Sequence, residues 1–238
     1  MNAYEQQAYQ ELLDWELDIL KKQSMFQKLS KRTQDKINQH IPEKAHQIIT
    51  ESIKQMVKTT LVGSEMTTSK ASPVFESLEE QEKRVQEKLE NYRKTAMVEG
   101  AGTGAGGFFL ALADFPLLLS IKIKFLFEAA TIYGFDTSNY EERLYILHVF
   151  QLAFSSDDKR REVYYFIKHW EEERERLTDM DWRSFQQDYR DYIDLVKMLQ
   201  LIPGFGAIVG AYANYNLLDQ LGKTAKNCYR MRLLEQVE

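Results

Sequence analysis

Cysteine, histidine and proline are all scarce in this chain, and each scarcity closes off a class of protein. One cysteine, Cys228, allows no intramolecular disulfide. Four scattered histidines give no zinc-ligand spacing. Glu43 and His46 form a lone E-x-x-H, whereas a di-iron bundle needs a second such motif and two more carboxylates. A basic excess is missing too. Lys and Arg number 31 against 36 Asp and Glu, for a net charge of −5, which argues against a nucleic-acid binder. The opening "MNAYEQQAYQELLDWELD" has no basic region leading into an apolar one, so no secretory signal is read there and an intracellular location is expected.

Runs of alternating apolar and polar residues are absent as well, and the fold class expected is all-α. Leu12, Leu13, Leu17 and Leu20 suggest the inner face of a first helix reaching about Leu29. Pro42 suits the start of a second helix, followed by Ile49, Ile53, Met56, Val57 and Thr60 at helical spacing. Leu78, Val85, Leu89, Tyr92 and Ala96 make a third stripe, and Trp182, Phe185, Tyr189, Tyr192, Ile193 and Val196 a later one. Ser138 and Glu141 have capping-box spacing before "RLYILHVFQLAF". The small, polar stretch 63–73 divides an N-terminal helical region, 1–62, from a larger helical domain, 74–238, within one compact unit.

What the chain does hold in quantity is glycine in one place. Five of its 11 glycines fall in "EGAGTGAGG", residues 99–107, where Gly102, Gly104 and Gly107 spell G-x-G-x-x-G. A dinucleotide site needs a buried strand delivering the chain to that turn. Here "EEQEKRVQEKLENYRKTAMVE" precedes it, charged and helical, and no G-K-[ST] follows. A helix-packing or turn role explains the glycines better than nucleotide binding.

Two long windows of low charge follow from this. Residues 100–121 hold only Asp114 as a charge, and the 21 residues from 198 to 218 hold none. Gly102 and Gly106, and Gly206 and Gly210, repeat at spacing four, which lets helix backbones approach closely. Neither window is a comfortable membrane span. Asp114 at a bilayer centre would cost about 2.5–3.5 kcal/mol, and Pro116 and Pro203 interrupt the helices. Basic residues flank both ends of both windows, which suits a hairpin entering and leaving by one face. A buried soluble core of paired apolar segments, 100–133 and 198–222, fits the same residues.

"GTGAGGFFLALADFPLLLSIKIKFLFEAATIYGFD", "EERLYIL" and "IPGFGAIVGAYANYNLLDQLGKTAKNCYR" together resemble the EcsC family of bacteria. The family pattern falls on Gly102, Gly106, Asp114, Pro116, Tyr133, Gly134, Asp136, Pro203, Gly204, Gly206 and Asn214. The founding member takes its name from an ABC-transporter gene cluster. The resemblance therefore implies a link to an exporter, but no established reaction.

Asp114 is the most informative single charge, since a carboxylate amid "FFLALADFPLLL" must be capping, paired or functional. Three roles remain open for it: N-cap of the helix restarting near Pro116, salt bridge to a Lys or Arg, or proton or ion site. His148 reads as a core histidine, His169 as a surface one and Cys228 as a packed thiol. The mixed-charge runs 157–161 and 171–176, with Glu172 and Arg176 at i,i+4, read as solvated faces or a docking surface. Tyr164, Tyr165, Phe166, Trp170 and Trp182 read as core, or else as a lipid-interface belt.

No catalytic set, cofactor or metal site is expected. The leading expectation is a non-enzymatic accessory protein at the cytoplasmic face of the cell membrane, contacting lipid, an ABC-transporter component, or both. A soluble helical carrier of a lipid or other apolar ligand is the alternative, and a nucleotide enzyme acting through Gly102–Gly107 the third.

Overall fold

The computed structural model describes residues 1–21, 43–62, 77–102, 115–155, 157–178 and 210–234. These residues form eight helices and no strand. They are α1 (Ala3–Leu20), α2 (Glu43–Val62), α3 (Leu78–Gly102), α4 (Phe115–Ile132), α5 (Tyr140–Phe154), α6 (Asp157–Lys168), α7 (Trp170–Thr178) and α8 (Gly210–Leu234). The 63–73 linker, the stripe from Trp182 to Val196, and Trp182 itself lie outside the described residues.

Local chemistry sets the helix starts. Asn2 Oδ1 accepts from the Glu5 amide at 2.9 Å while Glu5 Oε2 accepts from the Asn2 amide at 2.8 Å, a reciprocal capping box that opens α1. Ser77 and Glu80 do the same ahead of α3. The box expected at Ser138 and Glu141 does not form. Asn139 takes the N-cap position of α5 without a side-chain bond, because the Ser138 amide is already held by Asp136 Oδ1 at 2.9 Å.

Helical spacing locates the buried faces of α2 and α3. Ile49, Ile53, Met56, Val57 and Thr60 are buried, as are Leu78, Val85 and Leu89, with Tyr92 half-buried. The first helix needs correction. It ends at Leu20, capped at Lys21, and its inner face is Ala8, Leu12, Trp15 and Glu16, while Leu17 is 58% exposed. The leucine pattern misleads because Trp15 and Glu16, which anchor the face, are not aliphatic.

The most enclosed helix is α5, in which every residue from Leu144 to Phe154 is buried. A helix apolar on all sides belongs in the middle of a bundle. It touches α2, α4, α6, α7 and α8. The longest interface joins α8 to α3, at a point where a Cβ on Gly222 would come 2.5 Å from Leu89 Cδ2. The glycine at a close helix approach, among the described residues, is thus Gly222. The two helices that continue the apolar windows, α4 and α8, touch along a short stretch, and each makes a larger interface with α3. Both described helices of region 1–62 join the same core as those after residue 74: α1 packs on α3, α6 and α8, and α2 on α4 and α5.

Candidate functional site

The Tyr-Gly-Phe-Asp turn is where a family motif falls wholly within described structure. Gly134 closes α4 at a φ of 90°. The Gly134 amide donates to Thr131 O at 3.1 Å and the Phe135 amide to Ala130 O at 3.0 Å, the paired bonds of a Schellman cap. Tyr133 is then turned inward, its ring stacked 5.1 Å from Tyr229, with Phe135 5.2 Å from the same ring. Arg143 ties the turn to the end of α2: Nε donates to Leu61 O at 3.0 Å, and Nη1 to Thr137 O and Ser138 O. These residues make a structural joint.

The other sequence-predicted residues are placed as follows. Gly102 is the last residue of α3, so a helix and not a strand leads into the glycine run. Pro116 stands exposed in the first turn of α4, where its missing N–H is harmless. Gly210 opens α8, and Asn214 lies in its second turn. Gly106, Asp114, Pro203, Gly204 and Gly206 lie outside the described residues. His148 is buried, its Nδ1 3.0 Å from Gln151 Oε1, and burial pushes its pKa down to about 4. His169 is exposed. Cys228 is fully buried, and desolvation pushes its thiol pKa up. Arg176 pairs with Glu173 at 2.6 Å, one residue nearer than the expected Glu172. Tyr164 and Trp170 are core, whereas Tyr165 is 52% exposed.

The chemistry the sequence conceals is a set of buried charges that fastens the helices. Arg230 on α8 is 2% exposed and clasps Glu82 of α3 through Nε–Oε1 at 2.6 Å and Nη2–Oε2 at 2.7 Å. Its Nη1 reaches Glu11 Oε2 of α1 at 2.9 Å, and Tyr4 donates to Glu82 Oε2 at 2.8 Å. A bidentate guanidinium–carboxylate pair with further donors is the geometry in which buried charges are tolerated. Two residues on, Arg232 meets Glu142 of α5 at 2.6 Å, and Tyr229 donates to the same carboxylate at 2.9 Å. The Arg232 guanidinium lies 3.7 Å from the Phe135 ring centre and 4.4 Å from that of Tyr145. Burial nevertheless holds the Glu142 pKa above the ordinary carboxylate value, against the pull of Arg232. On the far side, Glu16 accepts from Tyr164 at 2.6 Å and Lys168 at 2.8 Å, joining α1 to α6.

Lys122 breaks this pattern. It is fully buried on α4, and among the described residues its Nζ has only the Leu118 carbonyl, 3.5 Å away. Among the described residues no carboxylate stands within ion-pair distance of it. Desolvation pushes its pKa down to about 7. The same residues hold no cluster of His, Cys, Asp and Glu fit for a metal ion.

Fold and interior together define, among the described residues, an all-helical bundle whose helices are fastened by buried arginine–glutamate contacts and whose Tyr-Gly-Phe-Asp turn caps a helix. The EcsC protein family matches residues 6–234, and the chain belongs to that family. Protein EcsC of Bacillus subtilis (strain 168) is 52% identical over 227 residues, 95% of each chain. The uncharacterized protein YdbA of the same organism is 31% identical over 178 residues, 69% of this chain and 65% of that one. No solved structure matches.

Proposed function

We propose that this protein is a non-enzymatic accessory factor held peripherally at the cytoplasmic face of the bacterial membrane, where it meets a component of an ABC transporter. None of the described helices is long and apolar enough to cross a membrane, so the attachment proposed is partial insertion. The observation that carries it is the opening of α4. Pro116, Leu117, Ser120 and Lys124 are all exposed there, with Leu117 at 49%. Buried Phe115 directly precedes them, and "FFLALAD", residues 108–114, runs before it in the sequence. An uncovered leucine continuous with an apolar segment and followed by lysine suits the boundary between acyl chains and headgroups. The transporter half of the proposal comes from the gene-cluster association that the family resemblance implies. The exposed ion pairs of α6 and α7, Lys159 with Glu162 and Arg176 with Glu173, offer a polar face for such a partner.

Flotation with anionic vesicles tests the reading. The wild-type protein is expected to float and to stay bound in high salt. Leu117→Asp should bind at least about tenfold more weakly, because burying a leucine contributes roughly 1.5–3 kcal/mol. Wild-type protein left at the bottom of the gradient contradicts the proposal.

A further inference from the structure

The first and last helices leave a cleft between them that the fold itself does not use. Its main chamber, about 320 Å³, is lined by Glu11, Asp14, Trp15 and Asp18 of α1 and by Lys223, Lys226, Asn227 and Arg230 of α8. A second chamber of about 200 Å³ shares Trp15, Asp18 and Lys223 with it. Residues 11, 14 and 18 fall on one face of α1, and 223, 226 and 230 on one face of α8. An acidic row therefore faces a basic row. At one end the rows are closed by Glu11 and Arg230, and Asp18 is occupied by Lys21 at 2.6 Å.

Between those ends the charges meet at longer range among the described residues: Lys226 acts on Glu11, Lys223 on Asp18 and Asp14 on Lys21. Asp14, Lys223 and Lys226 make no ion pair within 4 Å among the described residues. At the base of the cleft, Asn227 is 2% exposed, and its Oδ1 finds no donor among those residues. Its Nδ2 is already committed to the Lys223 carbonyl at 2.9 Å, so the amide is held with its acceptor idle. A buried acceptor without a donor forfeits its hydration, a loss that a bound N–H or O–H group would relieve. Trp15, 8% exposed and packed edge-on to Tyr164, forms the wall of the acidic side beside Asp14 and Asp18.

We propose that this cleft binds a small zwitterion bearing a primary ammonium and an oxyanion. The ammonium lies toward Asp14, Trp15 and the Asn227 acceptor, and the oxyanion toward Lys223 and Lys226. A free phosphoamine and an aminophospholipid headgroup share that chemistry, and the test separates them. The full chain is titrated with O-phosphoethanolamine and followed by Trp fluorescence and calorimetry, with inorganic phosphate and ethylamine as half-ligands.

The expected result is saturable binding of the zwitterion, with each half-ligand at least about tenfold weaker, since each charge-assisted hydrogen bond contributes roughly that factor. Asp14→Asn and Lys226→Gln should each weaken it by about tenfold, and neither removes an ion pair of the fold. Asn227→Leu should erase the preference for a primary over a quaternary ammonium, read with O-phosphocholine. Binding confined to phosphatidylethanolamine vesicles, absent from phosphatidylcholine vesicles and lost in the same variants, assigns the lipid source. No saturable signal from either probe up to about 10 mM, a free energy near −2.7 kcal/mol, overturns the proposal. Phosphate binding as tightly as the zwitterion, or Asp14→Asn leaving affinity unchanged, overturns it equally.

Discussion

Replacing Lys122 by methionine should make this protein more stable, and the size of the gain follows from the site. The folded lysine has its pKa pushed from 10.5 to about 7, a difference of about 3.5 units. Each unit corresponds to about 1.4 kcal/mol, so burial of the amine withholds about 4 kcal/mol at pH 7. The sign is fixed by proton counting. Between pH 7 and 10.5 the unfolded chain holds a proton on this amine that the folded chain lacks, so stability rises with pH across that window. From pH 7 to pH 9 the increase should be about 2 kcal/mol. Above pH 9 the ionisation of Cys228 in the unfolded chain works in the opposite direction, because its folded pKa is raised. Methionine keeps the apolar stem and removes the charge. Urea denaturation of both proteins at half-unit steps from pH 7 to pH 9 is the assay. Lys122→Met should be more stable by several kcal/mol at pH 7 and should lose the rise. A variant less stable than wild type at pH 7, or one showing the same slope, refutes the reasoning and places an anionic partner beside Lys122.

Further predictions concern the helix fastenings. Glu82→Gln should cost about 3–5 kcal/mol in urea denaturation by removing the buried carboxylate that clasps Arg230 and leaving the half-exposed Glu11 as its carboxylate among the described residues, whereas Glu82→Leu with Arg230→Met should recover most of that loss. Gly134→Ala should cost about 1–2 kcal/mol through its φ of 90° alone, since a Cβ there meets nothing within 4 Å; a neutral substitution would contradict the cap. Cys228 should be inert to thiol reagents in the folded protein and react fully in urea; labelling of native protein within minutes would contradict its burial.

Helix positions were legible where apolar residues recur on one face only. Ile49, Ile53, Met56 and Val57, and Leu78, Val85 and Leu89, declare their helices and their inner sides. The helix α5 could be located but not ranked, because residues apolar on every side give no periodic contrast to show that it is central. The charge network was invisible for another reason. Glu82 occupies a stripe position between Leu78 and Val85, yet the arginine that makes this tolerable lies 148 residues away. Local sequence cannot tell a buried glutamate with a distant partner from a solvated one. The same holds for Glu16 with Lys168 and Glu142 with Arg232. In hindsight, a glutamate inside an apolar stripe is the signal to look for a distant arginine. Of the glycine motifs, the part within described structure carries a physical reason in Gly134, whereas Gly222, at the close approach of α8 to α3, stood outside the pattern.

Fractionation of the native bacterial cell tests the proposed role most directly. The account predicts that the protein sediments with membranes, remains there through washes in high salt, and is released by mild detergent. Recovery in the soluble fraction at low salt, as a monomer with no exposed apolar surface, would contradict it.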